Sequence, residues 1–74
     1  MSSDERKMIA YMIACIGEFA RAANITTQES YRYLADYGGI DFLFEFYDTE
    51  HLLSLQDAVD DLKLITQKSG GLIM

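Results

Sequence analysis

The apolar residues near the start of the chain keep the spacing of an α-helix without interruption as far as residue 23. One row comprises Met8, Met12, Cys15 and Phe19, and an adjacent row comprises Ile9, Ile13, Ile16, Ala20 and Ala23. The positions left to face water are Lys7, Tyr11, Ala14, Glu18 and Arg21. Because so broad a stripe needs two neighbours, the pattern predicts a central helix with part of its surface reserved for another chain.

Two further helices are predicted from their end signals. Thr26 followed by Glu29 fits a capping box, and Gly38 with Gly39 is typical of a helix C-terminus. The apolar positions between them are predicted at Tyr31, Leu34 and Ala35, with Tyr33 and Tyr37 on flanking faces. Ser54 with Asp57 predicts the start of a last helix that ends at Ser69, Gly70 and Gly71. Its predicted inward face comprises Leu55, Ala58, Val59, Leu62 and Ile65.

The segment after the glycines shows two conflicting periods. Ile40, Leu43, Phe44 and Tyr47 have helical spacing, whereas Phe42, Phe44 and Phe46 alternate as in a strand. We expect a short helix to about Phe46, because a strand would lack a pairing partner. Residues 48–53 fit either an irregular linker or another helical turn. The chain is therefore predicted to be all-α, a single domain (1–74) of about four helices with a flexible C-terminal tip at about 69–74.

Length and charge limit the classes of function. A chain of 74 residues buries only about 60% of the surface that its unfolded form exposes, which makes a lone monomer marginally stable. Cys15 is its one cysteine, so neither a disulfide nor a zinc site supports the core. Association, as a homo-oligomer or a hetero-complex, is the expected remedy. The net charge of −6 opposes direct nucleic-acid binding. The apolar run Met8–Ile16 is too short to span a membrane and has no signal-peptide pattern, which predicts a cytoplasmic protein.

No catalytic, metal or cofactor signature is recognised in the chain. His51 lies near carboxylates that could orient it as a general base, but the pattern lacks a nucleophile with an oxyanion hole, so we expect no enzyme. The surrounding charged residues lack calcium-loop spacing and are expected to form a solvated acidic face. These residues are Asp48, Glu50, His51, Asp57, Asp60 and Asp61.

Aromatic residues are unusually concentrated in the middle of the chain. Seven rings fall within residues 31–47, more than a core of this size needs, and aromatic side chains are enriched at protein interfaces. The predicted partner-binding residues are Tyr37, Phe42, Phe44, Phe46, Tyr47, Asp48 and His51.

The order of these motifs resembles a bacterial family of very short proteins of unknown function, over about residues 7–65. The resemblance comprises the Phe19–Ala20 pair, the Y-x-x-L-x-x-Y-x-G-I-x-F-L segment and the Tyr47-Asp48-x-x-His51 element, followed by an acidic helix with Val59, Asp60 and Asp61. Within the second motif the matching residues are Tyr31 or Tyr33, Leu34, Tyr37, Gly39, Ile40, Phe42 and Leu43. Leu52 and Leu53 depart from the family, in which a more polar pair is expected.

The resemblance implies a role beside another protein. Members of the family are expected to be encoded next to proteins similar to ADP-ribosyltransferase toxins, which implies a companion or antitoxin-like function. We therefore expect a non-enzymatic protein–protein interaction module that binds such a toxin-type enzyme. The alternative is a homodimeric accessory or regulatory protein in transcription that dimerises through its first helix.

Overall fold

The computed structural model describes residues 2–73, and within them the chain is all-α. Its five helices are α1 (Ser3–Ala23), α2 (Thr27–Asp36), α3 (Gly39–Glu45), α4 (Tyr47–Glu50) and α5 (Leu55–Lys68). Four of them have seven residues or more, so the predicted bundle of about four helices is confirmed. The segment left open between linker and helix is helical as far as Glu50 and continues as a turn.

The helices begin and end at residues that satisfy their free backbone groups. The capping box is confirmed: the Glu29 amide donates to Thr26 Oγ1 at 3.0 Å, and the Thr26 amide donates to Glu29 Oε1 at 2.9 Å. The Asp57 amide donates to the Ser54 hydroxyl at 3.1 Å, as predicted for α5. Asn24 ends α1 in the left-handed conformation, with φ of 58°.

The core lies where α2 and α5 pack on one side of α1. Phe19 is completely buried and stacks on Tyr33, with 5.7 Å between the ring centres. The other buried apolar residues of this core are Met12, Cys15, Ile16, Leu34, Leu43, Ala58, Val59 and Leu62. Residues from four helices therefore share one interior.

The predicted inward face of α2 was wrong by one position. Tyr31 is 54% exposed and Ala35 is also exposed, whereas Tyr33 is buried beside Leu34. The cause is a polar contact that apolar periodicity does not register: the buried Ser30 hydroxyl donates to the Ile16 carbonyl oxygen at 2.8 Å. This bond turns the Ser30 side of α2 toward α1.

The faces of α1 also differ from the prediction. Ile9 and Ile13 are 40% and 60% exposed, so the second apolar row is buried only over its later part. Tyr11, which was expected to face water, packs against the core, and its hydroxyl donates to the Glu50 carbonyl oxygen at 2.9 Å. α1 thus leaves part of its apolar stripe uncovered, as its width suggested.

Gly71 lies where a side chain would collide with the core. A Cβ on Gly71 would overlap the Tyr33 ring, and the nearby Ile73 amide donates to the Tyr33 hydroxyl at 3.4 Å. The start of the predicted flexible tip therefore passes over Tyr33 as a packed segment. Its mobility stays a prediction, and Met74 lies outside the described residues.

Within residues 2–73, no single helix has both the length and the apolar composition needed to cross a membrane. α1 and α2 meet that requirement only when taken together, and the two are bent by 104° at their junction.

Two glycine substitutions should change stability in opposite directions. Gly17 lies inside α1 with open space at its Cβ position, so Gly17→Ala should raise the free energy of unfolding by about 0.5–1 kcal/mol. A Cβ on Gly39 would lie 2.7 Å from Leu34 Cδ2 and 3.3 Å from Leu34 Cα. Gly39→Ala should therefore lower the free energy of unfolding by about 1–3 kcal/mol. Urea unfolding measures both, and equal effects at the two sites would contradict the packing described.

Candidate protein-binding surface

The segment from α3 to the start of α5 exposes four large apolar side chains within ten residues. Phe44, Phe46, Leu52 and Leu53 have exposed fractions of 54%, 46%, 77% and 38%. α3 is seven residues long and α4 is four, so each buries few positions, chiefly Leu43. We call this segment, residues 41–53, the α3–α4 surface. Its apolar side chains are numerous for a water-facing region of so small a protein.

The structure arranges the predicted partner-binding residues as separate pairs. Phe42 contacts Phe46 with 5.2 Å between ring centres, and Tyr47 stacks on His51 with 4.5 Å between ring centres. Tyr37 lies elsewhere, against Tyr33 at 4.9 Å. The predicted set is thus partly brought together on the α3–α4 surface, with Tyr37 belonging to the core side of α2.

Phe44 and Phe46 point to different flanks of α3. Residues two positions apart on a helix are separated by about 200° and do not face each other. Phe46 rests on the half-buried Phe42, whereas Phe44 lies 54% exposed on the other flank. A partner that contacts both rings must therefore wrap around the exposed side of α3.

The stretch of chain that forms this surface carries acidic side chains and no lysine or arginine. Residues 33–62 contain no lysine or arginine. The carboxylates in this range are Asp36, Asp41, Glu45, Asp48, Glu50, Asp57, Asp60 and Asp61. Asp41, Glu45 and Asp48 are exposed beside the apolar side chains. The surface consequently combines exposed apolar side chains with carboxylates.

His51 is held by α4 itself. Its Nδ1 donates to the Tyr47 carbonyl oxygen at 2.6 Å, and the two side chains stack. Tyr47 in turn makes an edge contact with Tyr11 of α1, at 5.6 Å between ring centres. An open groove beside this contact is lined by Asp4, Lys7, Met8, Tyr47, Asp48 and His51. His51 and Tyr47 therefore line one side of this groove, and residues of α1 line the other.

Glu50 contradicts the prediction of a wholly solvated acidic face. Its side chain is only 5% exposed, and its Oε1 atom has no hydrogen-bond partner among the described residues. The pKa of Glu50 is raised to about 7. Burial is the largest cause, and a hydrogen bond with the Asp61 carboxyl and repulsion from its charge add to it. Glu50 therefore keeps its proton to a higher pH than an exposed glutamate does.

Helical spacing carries a signal for this burial. Leu43, Tyr47 and Glu50 follow one another at steps of four and three residues, which places Glu50 on the same inward row as Leu43. The sequence alone did not predict this row, because residues 48–53 fitted either a linker or a helical turn. The spacing has meaning only if the helix continues past Phe46.

Two groups of α1 complete the surroundings of Glu50. Burial raises the pKa of the Tyr11 phenol, with contributions from Cys15, Glu50 and Asp61. Burial also raises the pKa of the Cys15 thiol, opposed in part by a hydrogen bond with Tyr11. Cys15 is fully buried, so its thiol stays protonated and behaves as a small apolar group, as predicted.

Metal ligands do not converge in the described part of the chain. Among residues 2–73, no group of three or more His, Cys, Asp or Glu side chains is arranged to hold a metal ion. The Glu50–Asp61 contact therefore joins α4 to α5 without the further ligands that a metal ion would need.

Comparison with known proteins places this arrangement in a family. Residues 10–68 match the family described as "Protein of unknown function (DUF3791)". The chain belongs to this family. No curated protein and no solved structure matches it. The resemblance to a family of unknown function is thus confirmed, and the bacterial origin and the neighbouring toxin-like protein stay predictions.

The buried carboxyl makes stability depend on pH. Because the pKa of Glu50 is raised from 4.5 to about 7 in the folded protein, the folded state holds a proton that the unfolded state has lost within this interval. The contribution of Glu50 to stability is therefore complete below about pH 4.5 and is lost as pH rises to about 7. The expected loss is about 2–3 kcal/mol. Urea unfolding between pH 4.5 and 8 measures it.

The matched variants are Glu50→Gln and Glu45→Gln. Glu50→Gln retains a donor for Asp61 and cannot ionise, so it should be more stable than the unchanged protein at pH 8 and lose most of this pH dependence. Glu45 is exposed, so Glu45→Gln should leave the pH dependence nearly unchanged. Equal pH profiles for the unchanged protein and Glu50→Gln would contradict the buried carboxyl.

Proposed function

We propose that this protein is a non-enzymatic protein-binding module whose α3–α4 surface holds a partner protein, as an antitoxin-like companion of a toxin-type enzyme. The observation that carries the proposal is the exposure of four large apolar side chains, Phe44, Phe46, Leu52 and Leu53, within ten residues. Large aromatic side chains that lie half exposed in a free protein gain most when a partner covers them.

The small core of this protein supports a binding role for its exposed apolar side chains. A domain of this size covers only about 60% of the surface its unfolded chain exposes, so each apolar group left in water weakens an already marginal fold. Phe19 and Tyr33 are buried in the core, whereas Phe44 and Phe46 stay about half exposed. The remaining rings are accounted for by contact with another chain.

Charge supports one kind of partner. The carboxylates of Asp41, Glu45 and Asp48 surround the apolar side chains, and residues 33–62 supply no lysine or arginine. A partner with lysine or arginine around an apolar pocket would be attracted over a long range and oriented before contact. The proposed toxin-type enzyme is thus expected to present a basic rim to this protein.

The alternative function, a homodimeric accessory or regulatory protein in transcription, depends on α1. The exposed Ile9 and Ile13 favour a contact there. The net charge of −6 opposes nucleic acid, and direct readout would have to come from three cations on this helix, Arg6, Lys7 and Arg21. The α3–α4 surface has no part in this alternative, so variants on that surface separate the two.

Binding should depend on both phenylalanines. The protein and the product of a neighbouring toxin-type gene are first co-expressed to test for a complex, then purified separately and titrated against each other by calorimetry. Phe44→Ala and Phe46→Ala should each raise the dissociation constant tenfold or more, which is typical of side chains at the centre of an interface. Asp48→Lys should weaken it further, chiefly by slowing association.

Tyr31→Ala provides the matched control. Tyr31 is as exposed as Phe44, at 54% in both cases, but lies on α2. Its substitution should leave binding within a factor of two. A complex that survives Phe44→Ala and Phe46→Ala unchanged would exclude the α3–α4 surface. A stable homodimer that binds nothing would favour the alternative.

A further inference from the structure

The α4 helix and the turn that follows it are attached to the rest of the protein through few buried groups. We call residues 47–53 the α4 segment. Glu50 is the buried residue of α4, and the positions from His51 to Ser54 are all exposed. The last backbone bond of the segment joins the Leu53 amide to the Glu50 carbonyl oxygen at 3.0 Å. Because a short segment with little buried surface gains little from packing, it can open without unfolding of the whole domain.

Tyr11 and Asp61 hold the α4 segment in place from two helices. The Tyr11 hydroxyl donates to the Glu50 carbonyl oxygen at 2.9 Å, and its ring meets the Tyr47 ring edge-on, with 5.6 Å between ring centres. The Glu50 carboxyl forms a hydrogen bond with the Asp61 carboxyl of α5. A hydrogen bond between two carboxyl groups needs a proton on one of them, so this contact is lost when both are ionised.

The surroundings of Glu50 do not stabilise a negative charge. Its side chain is 5% exposed, and its Oε1 atom has no hydrogen-bond partner among residues 2–73. The groups that face it from α1 are the Tyr11 phenol and the Cys15 thiol, whose raised pKa values keep both uncharged at neutral pH. The group that faces it from α5 is Asp61, which is itself acidic. An ionised Glu50 would therefore be buried beside a like charge.

Charged groups elsewhere on these helices do not compensate for that charge. Those of α3 and α4 are exposed, namely Asp41, Glu45, Asp48 and His51. Of the cations, Lys63 of α5 lies 3.8 Å from the Asp60 carboxylate, and Lys7 of α1 lines the groove beside Asp48. Among the described residues, no cation opposes burial and Asp61 in setting the pKa of Glu50. An ionised Glu50 is thus stabilised only by reaching water.

We propose that the α4 segment is a pH-sensitive switch, packed on α1 and α5 while Glu50 is protonated and released from them when Glu50 loses its proton to water. The opening is local, because the core contact of Phe19 with Tyr33 lies outside the segment. The inference concerns the free protein and does not rest on the proposed function. Where that function holds, opening would alter the α3–α4 surface, since residues 47–53 are part of it.

Amide exchange with water, measured by NMR on the full chain, tests the switch. The intrinsic rate of an unprotected amide at the same pH is divided by the observed rate to give a protection factor. The reporters are the amides of Glu50, His51 and Leu53, which are bonded within α4 and its turn. Because the pKa of Glu50 is about 7 in the packed segment and 4.5 in an open one, their protection should fall about 50- to 100-fold between pH 5 and pH 8.

Urea separates local opening from unfolding of the whole domain. At pH 8 the reporter amides should be at least about tenfold less protected than the amides of Phe19 and Leu34, which lie inside α1 and α2. Urea below the unfolding transition should lower the protection of Phe19 and Leu34 and leave the reporters nearly unchanged, because local opening exposes little surface. Equal protection and equal dependence on urea at all these amides would mean that Glu50 ionises only on global unfolding, which would overturn the proposal.

Three variants test the role assigned to Glu50. Glu50→Gln cannot ionise, so the segment should stay packed at pH 8, and a full pH dependence of protection in this variant would overturn the proposal. Glu45→Gln changes an exposed carboxyl of α3 and should match the unchanged protein. Tyr11→Phe removes the donor to the Glu50 carbonyl oxygen and should lower reporter protection about three- to tenfold at both pH 5 and pH 8, with the pH dependence retained. The urea test uses the unchanged protein and decides between local and global opening even where a variant fails to fold.

Discussion

The packing of α2 and α5 against one side of α1 is the contact on which the other features depend. Phe19 fills the centre of this contact with no exposed surface, and Tyr33 stacks on it from α2. Both helices use the same side, so the opposite side of a 21-residue apolar helix stays in water. Within residues 2–73 no further long helix covers that side, because α3 has seven residues and α4 has four.

The shortness of α4 also explains why a carboxyl group is buried. α4 has a single turn in which to reach α1, and it does so through its backbone, with the Tyr11 hydroxyl donating to the Glu50 carbonyl oxygen. The bond pulls Glu50 against α1 and brings its side chain to Asp61 of α5. An apolar residue at position 50 would avoid the cost of burying a carboxyl group. With Glu50, the contact of α4 becomes weaker as pH rises and the carboxyl ionises.

Local signals in the sequence predicted the ends of the helices better than the faces they bury. The bonds of Thr26, Glu29 and Ser54 involve atoms within three residues, so the residue types nearly determine them. The inward face of α2 depends instead on how that helix crosses α1, and the Ser30 bond to the Ile16 carbonyl decides it across fourteen residues. The pattern of aromatic residues likewise did not predict their separation into pairs, because ring contacts depend on the angles between α2, α3 and α4.

The two uncovered apolar regions differ in the charge beside them. The α3–α4 surface belongs to a stretch, residues 33–62, that contains no lysine or arginine. The outward side of α1 has charges of both signs, and its Arg21 forms an ion pair with Glu18 at 3.6 Å. Exposed pairs of this kind contribute little to stability. The proposed attraction of a basic partner therefore depends on the α3–α4 surface, whereas a contact on α1 would depend on the apolar side chains of Ile9 and Ile13.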